Sequence, residues 1–157
     1  MKRARIGMFA VAILAMATVA FAQKPDFSGS WTIDAAAVAA PAGGGGRMGG
    51  MAGPMVVKQT ADTLTTETTR GENKVTMTYK LDGTESVNKQ TMGQMGEIEI
   101  KSVAKWDGTK LVINDKRPGR DGAIQETVQT WSIDGGNLVI EGTGGRGPTK
   151  RIYKKTT

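Results

Sequence analysis

Residues 74–81 read KVTMTYKL, and this stretch decides the fold class. Apolar Val75, Met77 and Tyr79 alternate with lysine and threonine, which is the two-residue period of a strand with one face buried and one face in water. The same alternation recurs over 97–106, threonine, valine and isoleucine are frequent, and no long helical pattern appears. The sequence therefore predicts an all-β protein.

Similar segments continue along the chain, separated by turn residues. Asp82-Gly83, Asp107-Gly108 and Asp134-Gly135-Gly136 suit tight hairpin turns, in which a positive φ favours glycine. Short connections favour a meander, and closing the sheet would remove its exposed edges. We expect a single antiparallel up-and-down β-barrel of about 8–10 strands. The predicted strands are 27–33, 55–60, 62–69, 73–81, 84–90, 97–106, 110–117, 123–133, 137–142 and 149–154.

The first 22 residues have the features of a secretory signal peptide. Basic residues precede an apolar run from Ile6 to Phe21, and Ala20-Phe21-Ala22 forms a small-x-small cleavage site. The run is shorter than the roughly twenty residues of a transmembrane helix, although an uncleaved anchor is the alternative. We predict a cleavable signal peptide over 1–22, a barrel domain over 23–157, and a periplasmic or extracellular location.

Composition narrows the possible functions. The chain has no cysteine and no histidine, which removes disulfides, histidine-based metal or haem ligation and Ser-His-Asp triads. Without the signal, 18 of the 21 basic residues and all 15 acidic residues remain, so the net charge falls from +6 to +3. We expect no nucleic-acid partner, no cofactor, no metal, no enzymatic activity and no transmembrane segment after cleavage, and we expect a monomer.

The connections divide into two classes. In a meander, alternate connections lie at opposite ends of the barrel, and here the tight turns fall at one end. The long connections 34–54, 70–72, 91–96, 118–122 and 143–148 fall at the other, open end. Loop 34–54 is predicted to act as a lid, and its Gly-rich part, 41–54, is predicted to be flexible. Five of the six arginines after residue 22 belong to this open end: Arg47, Arg70, Arg117, Arg120 and Arg146.

This division suggests a ligand site with an apolar floor and a basic neck. Arginine suits carboxylate and phosphate groups, so the neck would meet an anionic head. The predicted cavity residues are Trp31, Met77, Tyr79, Trp106, Ile113, Arg117, Gln125, Thr127, Gln129 and Trp131. The predicted rim residues are Arg47, Arg70, Met92, Met95, Arg120 and Arg146. The alternation of strand 123–133 leaves open whether Gln125 or Ile124 faces inward.

Two motifs suggest other chemistry. The glycines at 142, 144 and 147 match a dinucleotide-binding string, but the following segment 149–154 reads as a strand where that motif requires a helix. Methionines at the open end could bind Cu(I) through their soft sulfur atoms, or could simply fill apolar space. These methionines are Met48, Met51, Met55, Met92 and Met95.

The segment Phe27-Ser28-Gly29-Ser30-Trp31 resembles the Gly-x-Trp signature of the first strand in lipocalins and their calycin relatives. The whole chain after the signal looks like small secreted bacterial lipocalin-like proteins, although no Thr-Asp-Tyr motif and no C-terminal helix are present. The resemblance implies a barrel whose central cavity holds small apolar molecules. It also implies that Trp31 lies at the closed end beneath an arginine of a late strand, for which Arg151 is the matching residue.

We therefore expect an exported, non-enzymatic protein that binds a small apolar or anionic amphipathic ligand in its barrel. The alternative is a filled barrel that acts as a cell-envelope interaction module. Such a module would use the loops of the open end, which are rich in glycine, arginine and methionine.

Overall fold

The computed structural model describes residues 23–34, 36, 53–70, 73–91, 93–144 and 147–156, without the side chains of Arg70 and Gln94. The predicted signal peptide and most of the Gly-rich loop lie outside them. The strands are β1 Gly29–Ile33, β2 Met55–Gln59, β3 Thr63–Arg70, β4 Asn73–Lys80, β5 Glu85–Thr91, β6 Glu97–Asp107, β7 Lys110–Pro118, β8 Ile124–Asp134, β9 Asn137–Thr143 and β10 Thr149–Thr156. All ten predicted strands are present, and a 3-10 turn, Gly93–Met95, precedes β6.

The strands form one nearly closed antiparallel barrel. Their order in the sheet is β4-β3-β2-β1-β10-β9-β8-β7-β6-β5, so consecutive strands pair except β4 with β5, and β1 pairs with β10. In this last pairing Trp31 lies opposite Lys155. The all-β, up-and-down architecture predicted from the sequence is confirmed. Within the described part of the chain, no helix is long and apolar enough to cross a membrane.

The barrel has a seam where β4 and β5 meet. Asp82-Gly83 forms a turn as predicted, with Gly83 at a φ of 85° and the Asp82 carboxylate accepting from the Thr84 amide at 2.9 Å. The predicted hairpin is wrong, however, because β4 and β5 are not neighbours in the hydrogen-bonded strand order. The buried side chains of Ser86 and Asn88 stand between the two backbones and separate them.

The side chains of Ser86 and Asn88 bind the backbone groups of β4 that strand pairing with β5 would otherwise satisfy. Asn88 Oδ1 accepts a hydrogen bond from the Thr78 amide at 2.7 Å, and Asn88 Nδ2 donates to the Thr78 carbonyl at 3.0 Å. Ser86 Oγ accepts from the Lys80 amide at 2.8 Å. Thr78, Lys80, Ser86 and Asn88 are called the side-chain seam below. The seam satisfies backbone groups that an open sheet edge would leave unpaired.

The closed end of the barrel is filled by aromatic side chains. Phe27 is completely buried, stacks on Trp106 with ring centroids 5.9 Å apart, and meets Trp131 edge-on at 5.8 Å. The indole N–H of Trp31 donates to the Phe27 carbonyl at 2.9 Å. Phe27 thus contacts all three tryptophans predicted to form an apolar floor, and this cluster is called the aromatic floor below.

The side chain of Gln59 ties the segment before β1 to β2. Gln59 Oε1 accepts from the Phe27 amide at 3.0 Å, and Gln59 Nε2 donates to the Pro25 carbonyl at 3.1 Å. The cation over the Trp31 ring is Lys155, at 5.6 Å from the ring centroid. The role suggested for Arg151 is therefore wrong, because Lys155 and not Arg151 lies opposite Trp31 in the ladder.

Candidate functional site

The inward face of β8 is the polar one. Trp131 is buried in the core, and Gln129 Nε2 donates to the Asp115 carboxylate at 3.0 Å inside the barrel. Ile124, on the opposite face, is 64% exposed. The alternative that the sequence left open is thus decided. Gln129 and Thr127 face the interior, and Gln125 follows them to the exposed open end.

A polar belt crosses the interior above the aromatic floor. Ser102 Oγ donates to Asp115 Oδ1 at 2.7 Å, while Gln129 donates to Oδ2 and accepts from the indole N–H of Trp131 at 3.4 Å. Burial raises the pKa of Asp115, and the hydrogen bonds from Ser102 and Gln129 and the charge of Arg117 oppose that rise. Both carboxyl oxygens accept hydrogen bonds, so Ser102 and Gln129 fix the orientation of the Asp115 side chain, and these three residues are called the belt below.

Arg151 brings an unpaired donor into the interior. It lies opposite Ile140 in the ladder between β9 and β10, and Ile140 is part of the buried core. Among the described residues, Arg151 Nε is buried and has no hydrogen-bond partner. Burial, the largest effect, and the charge of Asp115 raise the pKa of Tyr79, while Arg151 lowers it. Tyr79 therefore lies near both Asp115 and Arg151. A hydrogen-bond acceptor placed at Arg151 would pair with a buried N–H that has no other partner among the described residues.

The ten predicted cavity residues occupy different depths of the barrel. Arg117, Thr127 and Gln129 are half-buried at or above the belt, Trp106 is half-buried at the floor, and Gln125 is exposed. The other five are buried in the core: Trp31, Met77, Tyr79, Ile113 and Trp131.

The predicted rim is described only in part. Arg120 is exposed in the turn between β7 and β8, whereas Met95 packs against the core. Arg47, Met92 and Arg146 lie outside the described residues, as does the side chain of Arg70.

Sequence reasoning missed Ser102 and Asp115, and it placed Arg151 above Trp31 at the closed end and not in the ligand site. The sequence did contain an indication of these positions, because residues two apart in a strand lie on the same face. Asp115 shares the inward face of Ile113, and Arg151 shares the inward face of Tyr153. Their inward orientation was not predicted because a charged residue in a half-buried strand is ordinarily assigned to the solvent face.

The described residues give little support to metal or nucleotide chemistry. They contain no group of three His, Cys, Asp or Glu residues suited to a metal ion. Met55 is buried in the core, and Met48, Met51 and Met92 are not described. The glycine string is followed by strand β10, as predicted, so it lacks the helix that a dinucleotide fold requires.

The fold is similar to those of several solved structures. The REP1-NXSQ fatty acid transporter is 17% identical over 83% of this chain and 96% of its own, with a TM-score of 0.59. Human cRBP IV is 18% identical over 84% and 99%, with a TM-score of 0.58. Apo lipid binding protein 8 of Caenorhabditis elegans is 14% identical over 83% and 95%, with a TM-score of 0.62. No protein-family model and no curated protein sequence matches the chain.

Proposed function

We propose that this protein is an exported, non-enzymatic carrier that holds a small amphipathic molecule with an anionic head inside its barrel. The observation that carries the proposal is the Arg151 guanidinium, whose Nε is buried and unpaired within the described part of the chain. A guanidinium donor in a desolvated place favours a carboxylate or phosphate oxygen. The names of the similar barrels, a fatty acid transporter and a lipid binding protein, agree with a ligand of this class.

The packing of the interior sets the direction of the ligand. Phe27 and the tryptophans fill the closed end, which leaves no floor space for an apolar tail. Apolar side chains nearer the open end, including Met55, Met77 and Ile98, belong to the same core cluster and line the other half. We therefore place the head at Arg151 and the tail toward the open end. Each buried methylene would contribute about 0.8 kcal/mol.

The test compares a charged with a neutral ligand of equal length. Laurate and dodecanol are titrated by calorimetry into the protein beginning at Gln23, into Arg151→Met and into a matched control, Lys150→Met. Lys150 is the adjacent residue on the outer face, where it pairs with Glu141 at 3.4 Å. The Arg151 variant should bind laurate at least about tenfold more weakly and dodecanol nearly as before, since a buried charged hydrogen bond is worth roughly 1.5–3 kcal/mol. Equal loss for both ligands would contradict a head-group role for Arg151.

An interaction module is the second candidate, because one apolar side chain is exposed at the open end. Ile124 is 64% exposed and follows the turn that carries Arg120. An apolar side chain beside a cation suits an anionic lipid surface or another envelope component. Ile124→Ser should abolish cosedimentation with anionic vesicles if the open end has this role, and should leave laurate binding unchanged.

A further inference from the structure

A groove crosses strands β6 and β7 on the outer face of the barrel, and its volume is about 410 Å³. Its base is formed by Val103 of β6 and by Val112 and Asn114 of β7. Val103 lies opposite Asn114 in the ladder, and all three side chains are partly exposed. The groove therefore presents apolar surface to solvent on the side of the sheet that faces away from the barrel interior.

Three lysines border this groove, which is called the lysine groove below. Lys101 and Lys105 stand two residues to either side of Val103, so all three share the outer face of β6. Lys116 lies opposite Lys101 in the ladder. The stem of Lys105 lies against the turn at Gly83, where an added Cβ would come within 3.1 Å of Lys105 Cε. An apolar base thus has a border of positive charge.

The positive charges of the border are only partly compensated. Lys101 Nζ lies 3.7 Å from Glu85 Oε1, and both side chains are at least half exposed. Lys116 Nζ lies 2.9 Å from Glu126 Oε1, with similar exposure. Lys105 forms no ion pair with any other described residue. Exposed ion pairs are weak, so the carboxylates of a bound molecule can compete for these lysines. The lysine groove therefore favours an anionic partner.

Asn114 adds a hydrogen-bonding requirement to the base of the groove. Its Oδ1 is buried and has no hydrogen-bond partner among the described residues. A peptide group supplies an N–H for such an oxygen and a carbonyl for the amide nitrogen, whereas an inorganic anion supplies acceptors alone. The described side chains that line the groove include no aromatic ring on which a sugar could stack. A polypeptide therefore fits the groove better than a phosphate or a polysaccharide.

We propose that the lysine groove is a docking site for an extended acidic segment of a partner protein. The matching pattern is acidic-x-apolar-x-acidic, because side chains two residues apart in an extended segment share a face and lie roughly 6.4–6.8 Å apart along it. The apolar side chain covers Val103, and the two carboxylates meet Lys101 and Lys105. This site lies outside the barrel, so it goes beyond the proposed carrier function and does not depend on it.

The test follows the binding of a defined peptide by two-dimensional amide NMR. An end-blocked peptide, Ser-Glu-Thr-Leu-Thr-Glu-Ser, is titrated into isotope-labelled protein beginning at Gln23. Amide signals of β6 and β7 around Val103 and Asn114, including the side-chain amide of Asn114, should shift and saturate. The neutral peptide Ser-Gln-Thr-Leu-Thr-Gln-Ser and the rearranged peptide Ser-Glu-Glu-Leu-Thr-Thr-Ser should bind about threefold more weakly or worse, since each loses at least one ion pair.

Two substitutions should change the peptide affinity in opposite directions. Lys105→Glu should weaken binding by about fivefold or more, because repulsion replaces attraction. Glu85→Gln should strengthen binding by about twofold, because it removes the carboxylate that competes for Lys101. The matched control is Lys58→Glu on β2, where Lys58 pairs with Glu67 at 3.7 Å, and it should leave the affinity unchanged.

Each other outcome would overturn the docking site. Such outcomes are no saturable shift with the acidic peptide, shifts confined to other strands, equal binding of the three peptides, or an affinity that Lys105→Glu leaves unchanged. If Lys105→Glu does not fold, an affinity that fails to rise in Glu85→Gln overturns it. Polygalacturonate that shifts the β6 and β7 signals where the peptide does not would assign the groove to a polysaccharide instead. Laurate binding should be the same in all variants, so failure of the docking site leaves the carrier function intact.

Discussion

The side-chain seam predicts an unusually large effect for one polar substitution. Asn88→Ala would remove the amide that binds both the N–H and the carbonyl of Thr78, at 2.7 and 3.0 Å. Leaving a buried polar group without a partner costs roughly 1–3 kcal/mol, and water that enters the seam would recover part of that cost. We expect the free energy of unfolding to fall by about 2–3 kcal/mol, because two backbone groups lose their partner at once. Urea unfolding at 25 °C, extrapolated linearly to zero urea, measures this free energy.

The control for this prediction lies next in the chain. Val87 is on the outer face of the same strand and is 53% exposed, so Val87→Thr should change stability by less than about 0.5 kcal/mol. Asn88→Asp keeps an acceptor for the Thr78 amide but loses the donor to the Thr78 carbonyl. Its loss of unfolding free energy should therefore lie between those of Asn88→Ala and Val87→Thr. If Asn88→Ala is no more destabilising than Val87→Thr, the seam does not close the barrel, and the reasoning about its hydrogen bonds fails.

Three further predictions follow from the floor, the belt and the amino-terminal segment. Phe27→Ala should lower the free energy of unfolding by about 3–5 kcal/mol and shift the tryptophan emission to the red, because Trp106 loses its stacked ring. Lys58→Ala, an exposed change on β2, should shift the emission far less. Burial raises the pKa of Asp115, so the folded state holds the Asp115 proton more tightly than the unfolded chain does. The contribution of Asp115 to stability is therefore largest below its ordinary pKa of 3.8 and falls as pH rises through the raised pKa. Urea unfolding against pH should show that fall in wild type relative to Asp115→Asn, and parallel profiles would contradict it. Intact-mass measurement of protein recovered from an exported fraction should give a chain beginning at Gln23, and a mass that includes residues 1–22 would contradict cleavage.

Most of the fold could be predicted because its signals are local. The alternation around Met77 and the glycine turns at Gly83, Gly108 and Gly136 depend only on neighbours in the chain. The pairing of β4 with β5 could not be predicted in this way. A turn of the right type was present at Gly83, yet Ser86 and Asn88 insert their side chains where a ladder would form, and only the packed barrel determines that geometry.

The site was harder to predict because two strands reverse the usual pattern. In β5 the apolar Val87 faces solvent while Ser86 and Asn88 are buried, and in β8 Ile124 is exposed while Gln129 faces the interior. Since shifting a strand by one residue exchanges its two faces, a reader who places apolar residues inside assigns both strands wrongly. Only contacts with other strands, such as the bond from Gln129 to the Asp115 carboxylate, reveal the true face.

The two reversals have different physical reasons. In β5 the buried amide of Asn88 satisfies the open edge of β4, so the polar face inside serves the closure of the barrel. In β8 the buried Gln129 binds a carboxylate, and Asp115 itself is not needed to close any strand edge, since β7 pairs on both sides. A barrel that needed only stability would fill this layer with apolar side chains, as it does at Phe27 and the tryptophans below. Departures from the local rules that no structural need explains are expected at functional sites, and the belt around Asp115 is such a departure.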